Sequence, residues 1–182
     1  QGFQCAVKGS SFCVMRSKLA EVGEGLEGFF AQGFTALGPK LGPILWQFAS
    51  RRKFDRDDIA TFIDLLPEKV DGIALRHAIE PRHDSFNDEQ FFGLCRARSI
   101  AVVLDDSDEY PAIEADTADF TYARLQRMNE DIKTGYDDAS LDDFADRARK
   151  SQKAGGDVYI FMINGAKVRA PAAALALQER LR

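Results

Sequence analysis

Short apolar runs alternate along this chain with stretches in which hydrophobic residues recur every three or four positions. The short runs are typical of buried β-strands, and the three-and-four spacing is typical of amphipathic helices. The runs predict six strands, over residues 3–8, 41–48, 73–82, 100–104, 120–125 and 158–163. The helical spacing predicts five helices, over about residues 24–37, 55–66, 87–98, 141–153 and 171–181. Strands and helices therefore alternate along nearly the whole chain.

Residues that favour helix ends support these boundaries. Asp55 is a good N-cap for the second helix, and Pro67 follows the end of that helix. Asn87, with Gln90 three residues later, has the pattern of a capping box at the start of the third helix. Ser140 is predicted to cap the fourth helix. The long polar stretch over residues 126–139 is predicted to be a loop.

Apolar strands joined by helices predict a parallel sheet covered by helices. A complete eight-stranded barrel of this kind takes about 250 residues, whereas the chain has 182. We therefore expect one α/β domain over residues 1–182, with a TIM-barrel-like (β/α) fold of about six βα units and its first two strands missing. An open, doubly wound sheet is the alternative. Such a sheet normally has a glycine-rich phosphate turn after its first strand, and Gly9-Ser10-Ser11 matches that turn poorly.

A barrel that lacks two strands exposes two sheet edges, and exposed edges favour pairing or aggregation. We therefore do not expect these 182 residues to be monomeric and stable alone.

Composition narrows the classes of function. With 45% hydrophobic residues the chain is globular, and its net charge of −5 without a basic stripe argues against nucleic-acid binding. No apolar run reaches the ~20 residues that span a membrane. The cysteines are three in number and widely spaced, so they fit neither a disulfide framework nor a zinc site. This usage favours a cytoplasmic location, and no cofactor is expected.

Polar side chains stand near the C-terminal end of each predicted strand, where the active sites of (β/α) barrels lie. The densest group is Glu80-Pro81-Arg82-His83, directly after the apolar part of the third strand. We expect the polar residues to surround one cavity. The candidates are Lys8, Gln47, Glu80, Arg82, His83, Asp105, Tyr122, Arg124 and Asn164.

The cations in this set favour a small anionic ligand, which includes phosphorylated compounds. Lys8, Arg82 and Arg124 are the anion-binding candidates, because guanidinium groups match carboxylate and phosphate oxygens. Glu80 and Asp105 are the candidate general acids or bases. The pattern thus predicts an enzyme acting on a small anion. A binding module that uses the same pocket without turnover is the alternative.

Other roles compete for the same side chains. Glu80 and Arg82 are alternatively a structural ion pair, which is retained because loss of one partner costs about 3–5 kcal/mol. A metal site made of Glu80, His83 and Asp105 lacks a paired-ligand spacing, and strand alternation puts His83 opposite Glu80, so no metal is expected. His77 is predicted to be a core histidine that faces a helix.

Six segments together resemble the YecE-like family, a domain of unknown function with a TIM-barrel-like fold. They cover residues 3–8, 41–48, 79–86, 104–107, 120–125 and 157–164, in the order of the family and over nearly the whole chain. The resemblance implies the barrel-like fold, but no activity. Gln126 stands where the family tends to have a histidine. If that histidine is catalytic in the family, this chain is altered there, which favours the binding module.

Overall fold

A computed structural model describes residues 3–163 and 165–182, in which short strands and helices alternate. The strands are β1 (Cys5–Lys8), β2 (Leu41–Gln47), β3 (Lys69–Val70), β4 (Ile73–Ala74), β5 (His77–Glu80), β6 (Ala101–Val102), β7 (Leu104–Asp106), β8 (Phe120–Leu125) and β9 (Asp157–Met162). The helices are α1 (Ser11–Val14), α2 (Gly23–Phe30), α3 (Arg56–Leu65), α4 (Glu89–Ala97), α5 (Asp138–Lys153) and α6 (Ala170–Arg180). Short 3-10 turns cover Leu19–Glu21, Phe34–Lys40, Asp84–Phe86 and Lys167–Arg169.

The chain divides into two compact units. The first consists of Gln1–Val102 with Ala115–Ala118, and the second of Val103–Glu114 with Asp119–Arg182. Each unit contains one parallel sheet. No helix of the described residues has the length and apolar character that crossing a membrane requires.

The first unit is built on a parallel sheet in the order β1-β2-β5-β6. Strands β2 and β5 form its centre, and nearly all their residues are buried. Trp46 of β2 makes edge contacts with the rings of Phe29, Phe30 and Phe62, which belong to α2 and α3. Trp46 therefore packs against the helices that cover this sheet.

The second unit is built on a parallel sheet in the order β7-β8-β9. Leu125 at the end of β8 packs in one buried cluster with Leu141 of α5 and Leu177 of α6. Both units thus confirm the predicted α/β fold with parallel strands covered by helices. Both parallel sheets are open among the described residues, and barrel closure stays a prediction.

The predicted strand over residues 73–82 is wrong, because two separate strands occupy this range. Strand β4 pairs antiparallel with β3 in a hairpin whose loop is Asp71-Gly72. The φ angles of Asp71 and Gly72 are 50° and 81°. Two consecutive positive φ angles are those of a type I′ turn, and Asp-Gly is a favoured sequence for it. The parallel strand β5 begins only at His77.

The predicted strand over residues 100–104 is also divided, with β6 in the first sheet and β7 in the second. Thr117 binds the backbone at one edge of β6. Its hydroxyl donates to Ile100 O at 2.7 Å and accepts from Val102 N at 3.0 Å. The Thr117 side chain therefore binds the backbone groups that a neighbouring strand would otherwise pair with.

Of the predicted helix caps, Asp55 is confirmed and the other two are wrong. Asp55 accepts a hydrogen bond from a backbone N–H of α3 at 3.2 Å. Helix α4 is capped by Asp88 rather than Asn87, and α5 by Asp137 rather than Ser140. Each observed cap is a carboxylate, which interacts more favourably with a helix N-terminus than a neutral side chain does.

Candidate functional site

Three predicted site residues meet in the first unit at the carboxyl ends of β2 and β5. Gln47 and Glu80 are the last residues of these strands and pair in register. Gln47 Nε2 donates to Glu80 Oε2 at 2.8 Å. Arg82 approaches Glu80 Oε1 with both Nε and Nη2, each at 2.6 Å. The Glu80 carboxylate therefore accepts hydrogen bonds on both oxygens, as a buried charge requires.

The two members of this ion pair differ in exposure. The Glu80 side chain is fully buried, whereas the Arg82 side chain is 20% exposed. Because two nitrogens of Arg82 contact one oxygen, the plane of its guanidinium group is fixed by the carboxylate. Glu80 thus lies behind Arg82 and orients it, and Arg82 is the member that solvent can reach.

Lys8 ends β1 of the same sheet, and its side chain is exposed. It pairs in register with Leu45, two residues before Gln47. No ion pair of Lys8 occurs within residues 3–163 and 165–182. Lys8 is therefore an exposed cation near the same carboxyl edge as Arg82.

His83 follows Arg82 and caps the turn Asp84–Phe86. Its Nδ1 accepts a hydrogen bond from Ser85 N at 3.1 Å and lies 2.9 Å from Ser85 Oγ. The imidazole is half-buried. The sequence identified His83 as a candidate, but not the serine that holds it.

The remaining candidates lie in the second unit. Asp105 is buried, accepts a hydrogen bond from Gln126 Nε2, and pairs in register with Arg124. The ring of Tyr122 is buried and stacks on Phe161 with centroids 4.9 Å apart. The predicted convergence of all candidates on one mouth stays a prediction. Asn164 lies outside the described residues.

An interaction that the sequence analysis missed orders the loop between β8 and α5. Arg127 contacts Asp106 Oδ1 through Nε at 2.7 Å, and Tyr136 Oη donates to Asp106 Oδ2 at 2.8 Å. Burial and the hydrogen bond to Asp106 raise the pKa of Tyr136 above its ordinary value. The signal for this contact was Tyr136 itself, the single aromatic residue of a polar stretch.

His77 is confirmed as a core histidine. Trp46 Nε1 donates to its Nδ1 at 3.1 Å, and its Nε2 lies 2.8 Å from the carbonyl oxygen of Pro67. Burial lowers the pKa of His77 to about 4, against the smaller opposing effect of the Pro67 hydrogen bond. Its imidazole is therefore neutral at pH 7.

One buried cysteine and the grouping of ligand-type side chains bear on thiol and metal chemistry in the described part of the chain. Burial raises the pKa of Cys95 to about 12, so its thiol is a poor nucleophile. Within residues 3–163 and 165–182, no three histidine, cysteine or acidic side chains are grouped as metal ligands.

Comparisons with known proteins agree on one family. The model of the family described as "Protein of unknown function DUF72" matches residues 1–182. A crystal structure of a DUF72 family protein from Thermotoga maritima is 21% identical, with a TM-score of 0.69, over 97% of this chain and 72% of that one. A DUF72 family protein from Enterococcus faecalis is 16% identical, with a TM-score of 0.68, over 94% of this chain and 69% of that one.

At such identities the likeness to these structures shows the fold alone. No curated protein matches the chain. The match of the family model extends over the whole sequence and agrees with the parallel α/β fold. The chain therefore belongs to the DUF72 family.

Proposed function

We propose that this chain binds a small anionic compound at the carboxyl end of its parallel strands and acts on it as an enzyme. The observation that carries the proposal is the arrangement of Arg82, which is partly exposed and held by the fully buried Glu80. A guanidinium group that is already oriented loses less freedom when it binds a carboxylate or phosphate. Arg82 is thus a preorganised anion-binding group.

Lys8 is the second cation of the proposed site. It is exposed and ends β1 of the sheet that also contains Glu80. Ligands of parallel α/β sheets bind outside the carboxyl ends of the strands, which is where Lys8 and Arg82 lie. The proposal includes the TIM-barrel-like fold of about six βα units, in which these ends form the active-site mouth.

The proposed catalytic chemistry is general acid or base catalysis by a carboxylate. Glu80 and Asp105 are the candidates from the sequence. The contacts of Glu80 with Gln47 and Arg82 suit a positioning residue for the cation. Glu80→Gln and Asp105→Asn distinguish a catalytic carboxylate from a positioning one. Substitution of the general acid or base should lower turnover and retain ligand binding.

Binding without turnover is the second candidate function. The contact between Gln126 and Asp105 favours it, since an amide does not exchange protons as a histidine at this position would. This candidate uses the same anion-binding residues. Comparison of ligand binding with product formation distinguishes the two functions.

Calorimetric titration with inorganic phosphate and with small phosphorylated and carboxylated compounds tests the anion site. Arg82→Ala should abolish binding, and Arg124→Ala tests the sequence-based role of the second arginine in the same way. Arg96→Ala is the matched control, because Arg96 is an exposed arginine of the first unit whose partner is Glu89. We expect this control to bind like the unchanged protein.

A structural role of the ion pair is tested on the same variants. Removal of Arg82 leaves Glu80 buried without its cation, and such a loss costs about 3–5 kcal/mol of unfolding free energy. Arg82→Lys retains the charge and should bind more weakly, but measurably. If Arg82→Ala is destabilised and the unchanged protein binds no anion, the ion pair of Glu80 and Arg82 has a structural role only.

A further inference from the structure

A chain of hydrogen bonds leads to the ring of His83. The backbone N–H of Phe54 donates to Ser85 Oγ at 2.8 Å. The Ser85 hydroxyl is therefore an acceptor on that side, and its own hydrogen is available for His83 Nδ1 at 2.9 Å. The backbone N–H of Ser85 also donates to Nδ1, at 3.1 Å. One serine thus directs two donors at the same ring nitrogen.

These contacts determine the tautomer of the neutral ring. A nitrogen that accepts hydrogen bonds must present its lone pair, so Nδ1 has no proton and Nε2 carries it. His77 has the same tautomer for a related reason, because the Trp46 indole can only donate to its Nδ1. Both histidines of the chain are therefore Nε2–H donors when neutral.

The two histidines differ in what their Nε2–H contacts. In His77 it donates to the carbonyl oxygen of Pro67, and the ring is buried. In His83, by contrast, no hydrogen bond of Nε2 occurs within residues 3–163 and 165–182, and the ring is half-buried. His77 is thus satisfied inside the protein, whereas the His83 donor is available to a molecule from solvent.

We infer that His83 donates a hydrogen bond through Nε2 to an oxygen of the bound anion, and that Ser85 is the positioning residue that fixes this donor. The inference rests on the proposed function, since β5 ends at Glu80 and both Arg82 and His83 follow its carboxyl end. It adds that the ligand presents an oxygen acceptor to Nε2 of the imidazole besides the group that binds the guanidinium. His83 in this role is a specificity-determining donor rather than a base.

The tautomer is tested by proton–nitrogen correlation NMR of the histidine rings in the whole chain at roughly pH 8, where an ordinary histidine is neutral. The chain has two histidines, so the ring signals are few. We expect protonated Nε2 in both rings. Ser85→Ala removes the hydroxyl donor but retains the backbone N–H donor, so the Nδ1 signal of His83 should shift while Nε2 stays protonated, and His77 should be unchanged. An Nδ1–H tautomer of His83 in the unchanged protein would overturn the inference.

Ligand donation is tested by two matched substitutions and titration with inorganic phosphate. The amide of His83→Gln reaches nearer the position of Nε2, and that of His83→Asn nearer the position of Nδ1. Loss of one hydrogen bond weakens binding roughly tenfold. We therefore expect His83→Asn to bind roughly tenfold more weakly and His83→Gln to be close to the unchanged protein.

The outcomes separate this inference from the proposed function. If Arg82→Ala abolishes phosphate binding while His83→Asn binds like the unchanged protein, the role of His83 is overturned and the anion site stands. Equal weakening in His83→Asn and His83→Gln also contradicts a donor at Nε2. If the unchanged protein binds neither phosphate nor any other anion of the titrated set, the proposed function fails, and the inference fails with it.

Discussion

At the scale of residues, buried polar side chains in this protein are held by partners from distant parts of the sequence. Glu80 meets Gln47, which lies 33 residues earlier, and His77 meets Trp46, which lies 31 residues earlier. Such contacts satisfy hydrogen-bonding groups that would otherwise destabilise the core. They also make the protonation of His77 a property of the folded state.

His77 should make stability depend on pH. Its pKa is about 4 in the folded protein and 6.5 ordinarily. As pH falls below 6.5, His77 becomes protonated in the unfolded chain but stays neutral in the folded protein. The free energy of unfolding therefore decreases down to about pH 4 and levels off below it. The loss should reach about 3 kcal/mol.

Urea unfolding between pH 7 and pH 4 measures this effect. His77→Gln is the control, since it has no ionisable ring and retains the titration of the carboxylates. The difference in pH dependence between the two proteins should be the contribution of His77. Parallel curves would contradict the prediction.

Gly9 should tolerate no side chain. A Cβ atom at this position would lie 2.3 Å from Trp46 Cε3, in a ring that is fully buried. Gly9→Ala should therefore lower the unfolding free energy by about 1–3 kcal/mol. Gly93→Ala in α4 is the matched control, because nothing lies within 4 Å of its added Cβ.

The control should change stability in the opposite direction. Alanine is favoured over glycine inside a helix by roughly 0.5–1 kcal/mol. Thermal unfolding of Gly9→Ala and Gly93→Ala measures both changes in stability. Equal stability of Gly9→Ala and the unchanged protein would show that the backbone moves away from Trp46 at little cost.

At the scale of elements, the alternation of strands and helices and most of their positions follow from local pattern. The Asp71-Gly72 hairpin and the strand divided near Val103 were not predicted. The hairpin carries a local signal in its Asp-Gly loop. The division of the strand carries none, and Thr117, which binds the backbone of Ile100 and Val102, lies 15 residues after Val102.

The caps of α4 supply a test at this scale. Asp88 accepts a hydrogen bond from Gln90 N at 2.7 Å, whereas Asn87 precedes it and is exposed. Asp88→Ala should cost about 1 kcal/mol of unfolding free energy. Asn87→Ala should cost much less. A larger loss for Asn87→Ala in chemical denaturation would reassign the cap.

At the scale of the whole molecule, the second parallel sheet has an outer strand that is only partly covered. In the first sheet, β2 and β5 are central and nearly all buried. In the second sheet β9 pairs only with β8 in the described part of the chain, and its apolar residues are half-buried. An apolar strand with one open edge favours pairing with another strand.

We therefore expect the 182-residue chain to self-associate with rising concentration in sedimentation velocity. Phe161→Lys places a charge on β9 and should reduce the association, because lysine on an edge strand opposes pairing. Leu175→Lys is the control on the exposed part of α6. A monomer at all concentrations, or an equal effect of both variants, would contradict pairing through β9.

By itself the sequence determined the parallel α/β class, the family, the cap of α3 and the group Gln47, Glu80 and Arg82 at strand ends. The class, the cap and the group follow from periodicity and alternation, which act over a few residues, whereas the family follows from the resemblance of six segments. Only the tertiary structure decided that Glu80 is fully buried behind Arg82 and that Ser85 selects the His83 tautomer. Both depend on which strands and loops become neighbours, since the partners of Glu80 and Ser85 include residues 33 and 31 positions away.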